Sequence, residues 1–168
     1  MLTCHELFRF MSPALASEIL SHAFESDKQL YRATLTAVAE ARKLRPIFLE
    51  RQPRDQRHAG MLTALTRPSM ELVAGNLIRS WLVKKQRALL IDFLDALGLK
   101  HEEGAIEELP PSVDDAKLHA AVDGLLAKHP PEVVAVYLNA FNDMNGANWP
   151  NLKTMLETNP RLRLGAHA

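Results

Sequence analysis

The sequence predicts an all-α protein, an antiparallel bundle or array of about eight helices with no significant sheet. Three observations carry that prediction. Apolar residues recur three and four positions apart through most of the chain, the spacing of one face of a helix. Proline or hydroxyl residues stand where those stretches begin, as at Ser12-Pro13, Pro68-Ser69 and Pro130-Pro131. No stretch alternates apolar and polar residues as a half-buried strand would. The one β-prone run, residues 133–137, follows a proline and continues at helical spacing.

In chain order, residues 3–11 are apolar-rich and predict a short helix. Ser12-Pro13 then combines a hydroxyl cap with proline at the first helical position, and Leu15, Ile19, Leu20, Ala23 and Phe24 share one face. Ser26 and Gln29 have capping-box spacing and predict the start of a third helix. Its stripe is Leu30, Tyr31, Thr34, Leu35, Val38 and Ala41, and Ala33, Ala37 and Ala41 leave room for a close neighbour. Pro46 can start a short helix that Pro53 ends. A further helix from about Asp55 presents His58, Met61, Leu62 and Leu65 until Pro68 stops it.

Pro68-Ser69 begins the next helix, with Met70, Val73, Ala74, Leu77, Ile78, Trp81 and Leu82 on one face. Neither Gly nor Pro lies between Gly75 and Gly98, so one long helix would be sterically allowed. The phase opposes it. At about 100° per residue, the stripe ending at Leu82 and the stripe from Leu89 to Leu97 differ by roughly 130°. A break is therefore predicted near residues 84–86. Gly98 can take the left-handed conformation that ends a helix, which places Leu99 against Leu94.

An acidic loop, residues 100–111, follows. Ser112 with Asp115 is predicted to cap the next helix, whose buried stripe is Leu118, Ala121, Val122, Leu125 and Leu126. His129-Pro130-Pro131 ends that helix and starts another, with Val133, Val134, Tyr137, Leu138, Phe141 and Met144 facing inward. Residues 142–148 are turn chemistry, residues 150–158 a last short helix. Residues 1–160 are expected to form a single helical domain, and residues 161–168 a flexible tail.

The chain has 168 residues, enough to bury roughly 70% of its unfolded surface without a metal or disulfide. Cys4 is the only cysteine, so an internal disulfide is excluded and a reducing compartment is expected. No basic, apolar leader and no run of about 18 apolar residues is present, so a cytoplasmic protein without membrane contact is expected. Net charge is zero but unevenly placed. Residues 28–87 hold 13 Lys or Arg against 4 Asp or Glu, whereas residues 92–115 hold 1 Lys against 8 acids. Such a molecule can pair with itself, with a second copy or with a charged partner.

The basic concentration is Arg42, Lys43, Arg45, Arg51, Arg54 and Arg57. Arginine's planar fork suits phosphate, which makes nucleic-acid or phosphate binding an alternative there. Only Phe48 offers a stacking surface, however, and pairing with an acidic surface is the preferred expectation. Glu102, Glu103, Glu107 and Glu108 are the acidic candidates.

Asp115, His119 and Asp123 stand at i, i+4 and i+8 on one helix face, a carboxylate–imidazole–carboxylate row. Leu118 and Val122 set the buried face, so His119 is expected to look to solvent. An enzyme built from His101, Asp115 and His119 is the second alternative. Cys4 and His5 point about 100° apart on a helix and make a poor nucleophile–base pair. Glycine-rich phosphate loops, nucleophile elbows and zinc motifs are absent from the sequence, and no cofactor or metal is expected. Trp81 and Trp149 are expected in the core or at an interface. Taken together, these features point to a non-catalytic protein that recognises a protein partner or itself.

Overall fold

The computed structural model describes residues 1–165; residues 166–168, the end of the expected tail, lie outside the described residues. The protein is all-α. Among the described residues there are ten α-helices, two 3-10 turns and one two-stranded hairpin. The chain divides into two compact units, Leu2–Trp81 and residues 82–165 together with Met1.

The N-terminal unit contains α1 (Cys4–Phe10), α2 (Pro13–Ser26), α3 (Lys28–Ala41), α4 (Pro46–Glu50), α5 (Arg54–Leu65), a 3-10 turn (Pro68–Met70) and α6 (Glu71–Lys85) as far as Trp81. Helix α2 packs on α3 and α5, and α3 packs on α4 and α5. Ile19, Leu20, Val38, Leu49, Met61 and Leu77 are fully buried among these helices. Burying each such side chain contributes about 1.5–3 kcal/mol.

The helix starts follow local hydrogen bonding. Ser12 Oγ accepts from Leu15 N at 3.2 Å, as its position before Pro13 predicts. Helix α1 is held by Glu71 of α6, whose Oε1 accepts from Cys4 N at 2.8 Å and whose Oε2 accepts from His5 N at 2.9 Å. These are amides that no intrahelical partner can satisfy. The Ser26–Gln29 capping box does not form. Ser26 ends α2, and the next residue, Asp27, caps α3 by accepting from Leu30 N at 3.3 Å. Asp27 also accepts from Ser80 Oγ at 2.9 Å, so the carboxylate fixes the corner and leaves Ser26 no capping role. Ala39, not Ala41, continues the buried stripe of α3.

The C-terminal unit holds the last residues of α6, then α7 (Arg87–Ala96), β1 (His101–Glu102), β2 (Ala105–Ile106), α8 (Asp115–Lys128), α9 (Pro131–Asn145), α10 (Pro150–Thr158) and a 3-10 turn (Pro160–Leu162). The break that the phase shift predicts is present: Gln86, at φ −110° and ψ 29°, separates α6 from α7. Gly98, at φ 69°, ends α7. Leu99 N donates to Leu94 O at 3.0 Å and Gly98 N to Asp95 O at 3.0 Å, the two bonds of a Schellman ending.

Helix α9 is buried along its whole length from Val133 to Phe141, so it is the central helix of this unit rather than a one-faced one. Phe141 meets Phe93, Tyr137 and Trp149 at centroid distances of 5.5, 5.9 and 5.0 Å. Trp149 Nε1 donates to Pro110 O at 3.0 Å, which puts this tryptophan in the core.

Three expectations in this unit are corrected. Asp114, not Ser112, caps α8 by accepting from Lys117 N at 3.2 Å; it lies immediately before the helix, where its carboxylate reaches the free amide. Residues 142–145 continue α9 instead of turning, and the turn waits for Gly146 at φ 64°, the first residue there able to reverse hand without strain. The expected tail is held at its start, since Leu162 is buried and its 3-10 turn packs on α9.

Candidate functional site

The basic candidates flank α4: Arg42 and Lys43 follow α3, Arg45 and Arg51 stand at the two ends of α4, and Arg54 and Arg57 lie in the first turn of α5. Lys43 reverses the chain after α3 at φ 55°, with Leu44 N donating to Ala39 O at 2.8 Å. Pro46 then starts α4 at its first position. A helix of five residues has one inward position here, and Leu49 takes it at 0% exposure. Leu44, Ile47 and Phe48 consequently face solvent at 38%, 45% and 55%. Arg42, Lys43, Arg45 and Arg51, their neighbours in the chain, are exposed as well. Three exposed apolar side chains and four exposed cations thus fall within residues 42–51.

Arg54 and Arg57 have a different role. The Arg54 guanidinium stacks over the Phe24 ring, 4.7 Å from its centroid, with Glu25 at 3.9 Å. Arg57 is partly buried and tied down: its Nε donates to Tyr31 Oη at 2.8 Å, and its Nη1 to the carbonyls of Glu50 and Gln52, both at 3.3 Å. Tyr31 Oη lies 2.9 Å from His58 Nε2. Phe24, Tyr31 and His58 form an aromatic cluster with centroids 5.0–5.5 Å apart. Partial burial, followed by the charges of Arg57 and Arg54, holds the His58 pKa below its usual value, against a weaker opposing effect of Asp55. Arg42, Lys43, Arg45 and Arg51 are therefore exposed, Arg54, itself exposed, lies against Phe24 and Glu25 of α2, and Arg57 is held at the α3–α5 junction.

The acidic candidates lie on and after the β1–β2 hairpin, where a loop was expected. His101 pairs with Ile106 and Glu102 with Ala105. The two-residue turn, Glu103 at φ 50° and Gly104 at φ 93°, has both residues left-handed, as a type I′ hairpin requires. A side chain at Gly104 would also lie 3.2 Å from Leu90 Cβ. Glu102, Glu103, Glu107 and Glu108 are all exposed, and Glu103 pairs with Arg87 at 3.3 Å. His101 serves the hairpin: Nδ1 accepts from Gly104 N at 3.1 Å, and Nε2 donates to Asp95 at 2.6 Å.

His119, Asp115 and Asp123 are exposed on α8, as their spacing against Leu118 and Val122 predicts. Asp115 accepts from Asn151 Nδ2 at 2.8 Å, and no hydrogen bond or ion pair joins it to His119 among the described residues. Cys4 and His5 diverge as well. Cys4 is buried facing Gly75, while His5 Nδ1 engages Glu71 Oε2.

The Tyr31–Arg57–His58 network is the feature that sequence reasoning missed. Its members lie 26 and 27 residues apart on two helices, and no local pattern links them. Comparison with protein-family models, with curated proteins and with solved structures finds no match. No helix among the described residues is long and apolar enough to cross a membrane.

Proposed function

We propose that this is a non-catalytic recognition protein whose basic–apolar surface at Leu44, Ile47 and Phe48 docks onto the acidic surface of a second copy. The observation that carries this reading is the exposure of three large apolar side chains in a ten-residue segment, 42–51, that also exposes four cations. Recognition surfaces combine an apolar centre, which supplies most of the affinity, with a charged rim that sets register and encounter rate. A phosphate-binding face needs the cations without the apolar centre, and of the six basic candidates Arg54 stacks on Phe24 while Arg57 spends its Nε and Nη1 protons on Tyr31 and two backbone carbonyls. Each copy also supplies the complement, since Glu102, Glu103, Glu107 and Glu108 are exposed on a chain of zero net charge.

Sedimentation of the full chain tests this. A species heavier than the monomer is expected at low salt, growing with protein concentration. It should diminish between about 0.05 and 0.5 M salt, as the screening length shortens. Phe48→Glu should abolish it. Arg45→Glu with Arg51→Glu should abolish it too, as should Glu107→Lys with Glu108→Lys, and mixing the last two variants should restore it. A monomer at every concentration, or salt-steep binding to duplex DNA by that monomer, would overturn the reading.

A further inference from the structure

A cleft of about 490 Å³ lies beside α3, floored by Phe24, Tyr31 and Leu35. Lys28, Arg32 and Arg57 also line it, with Glu50 as the one carboxylate. We infer that this cleft is a binding site for a small organic anion, one that joins a single anionic group to an apolar, preferably aromatic, body. The inference is independent of the self-association reading and uses other residues.

Volume and wall chemistry define the ligand. Ligand clefts commonly enclose about 300–1,000 Å³ behind mostly apolar walls with a few fixed polar groups. Here the apolar wall is firm: Phe24 and Tyr31 meet edge to face at 5.0 Å and 71°. The polar groups differ in preparation. Arg57 is held by Tyr31 Oη and by the carbonyls of Glu50 and Gln52, so one cation is already in place before a ligand arrives. Lys28 and Arg32 stand one turn apart on α3, and neither has an ion-pair or hydrogen-bond partner among the described residues. Three cations against one carboxylate select an anion; Arg57 has only Nη2 left to offer, and the guanidinium fork that suits a carboxylate or a phosphate is that of Arg32. The two aromatic rings favour an anion with an apolar group over a bare inorganic one.

The test is calorimetric titration of the full chain with phenyl phosphate, phenylacetate, inorganic phosphate and benzyl alcohol. Saturable binding of phenyl phosphate or phenylacetate is expected, and the tighter of the two identifies the anionic group. Inorganic phosphate and benzyl alcohol should bind at least about tenfold more weakly, each lacking one half of the recognition, and tenfold corresponds to about 1.4 kcal/mol. Lys28→Glu with Arg32→Glu, at two exposed positions, should weaken binding of the aryl anion by at least about tenfold. Ring resonances of Tyr31 and His58 should shift on binding and locate the ligand. The proposal is overturned if neither aryl anion saturates, if benzyl alcohol or inorganic phosphate binds equally well, or if the folded double variant binds unchanged.

Discussion

His58 shows how the fold sets the chemistry of a single side chain. Tyr31 Oη accepts from Arg57 Nε at 2.8 Å, so its own proton is directed at His58 Nε2, 2.9 Å away. The ring then accepts at Nε2 and is neutral, with its proton on Nδ1. Partial burial and the neighbouring arginines reinforce this by lowering the folded pKa beneath the ordinary imidazole value. Between that lowered value and the unfolded one, the unfolded chain binds more protons, so stability rises with pH. The contribution is complete above the unfolded pKa and is lost as pH falls through the folded one. NMR titration should place the His58 midpoint below 6.5, and Arg54→Gln should raise it. Urea unfolding should show a fall in stability over the same window, reduced in His58→Gln. A midpoint at or above the ordinary imidazole value would refute the assigned hydrogen-bond direction.

Two helix ends make the same point for elements. Helices α3 and α7 both finish in Schellman geometry, at φ 55° for Lys43 and φ 69° for Gly98. The glycine adopts that hand at little cost, whereas the lysine's Cβ meets the backbone. Lys43→Gly should therefore stabilise the protein by about 0.5–1 kcal/mol, less what the freer unfolded chain takes back. Gly98→Ala should destabilise it by about 1 kcal/mol, and a stability curve in urea measures both. The same pair explains what was legible in the sequence. Gly98-Leu99 announces its helix end, and the break at Gln86 follows from adding rotation residue by residue, because both signals are local. Lys43 carries no such mark, nor does the Glu103-Gly104 hairpin, whose first turn residue is not one that favours this hand. The caps at Asp27 and Asp114 escaped because serines nearby satisfied the spacing equally well. The basic segment was legible as charge. Its apolar centre was not, since an apolar triplet between prolines resembles a core segment until α4 proves long enough to bury only Leu49.

For the whole molecule, the governing fact is a zero net charge assembled from a strongly basic and a strongly acidic stretch. Near its isoelectric point of about 7.1 no net repulsion keeps copies apart, while oppositely charged patches attract at short range. Solubility at low salt should therefore pass through a minimum near pH 7 and rise when about 0.15 M salt shortens the screening length to about 8 Å. The minimum should also be lopsided. Histidine is the side-chain class that ionises nearest neutrality on the acid side and the sequence holds seven of them, so net charge should build more quickly there. On the alkaline side the sequence offers one cysteine, and lysine and tyrosine follow only near pH 10. Recovery there should be shallow. Glu107→Lys with Glu108→Lys makes the chain net basic and should move the minimum to higher pH, while Arg45→Glu with Arg51→Glu should move it lower. Light scattering across pH 5 to 9, about two units either side of neutrality, measures all of this. A symmetric minimum, or solubility that falls as salt is added, would show that apolar contact rather than charge governs how copies of this protein meet.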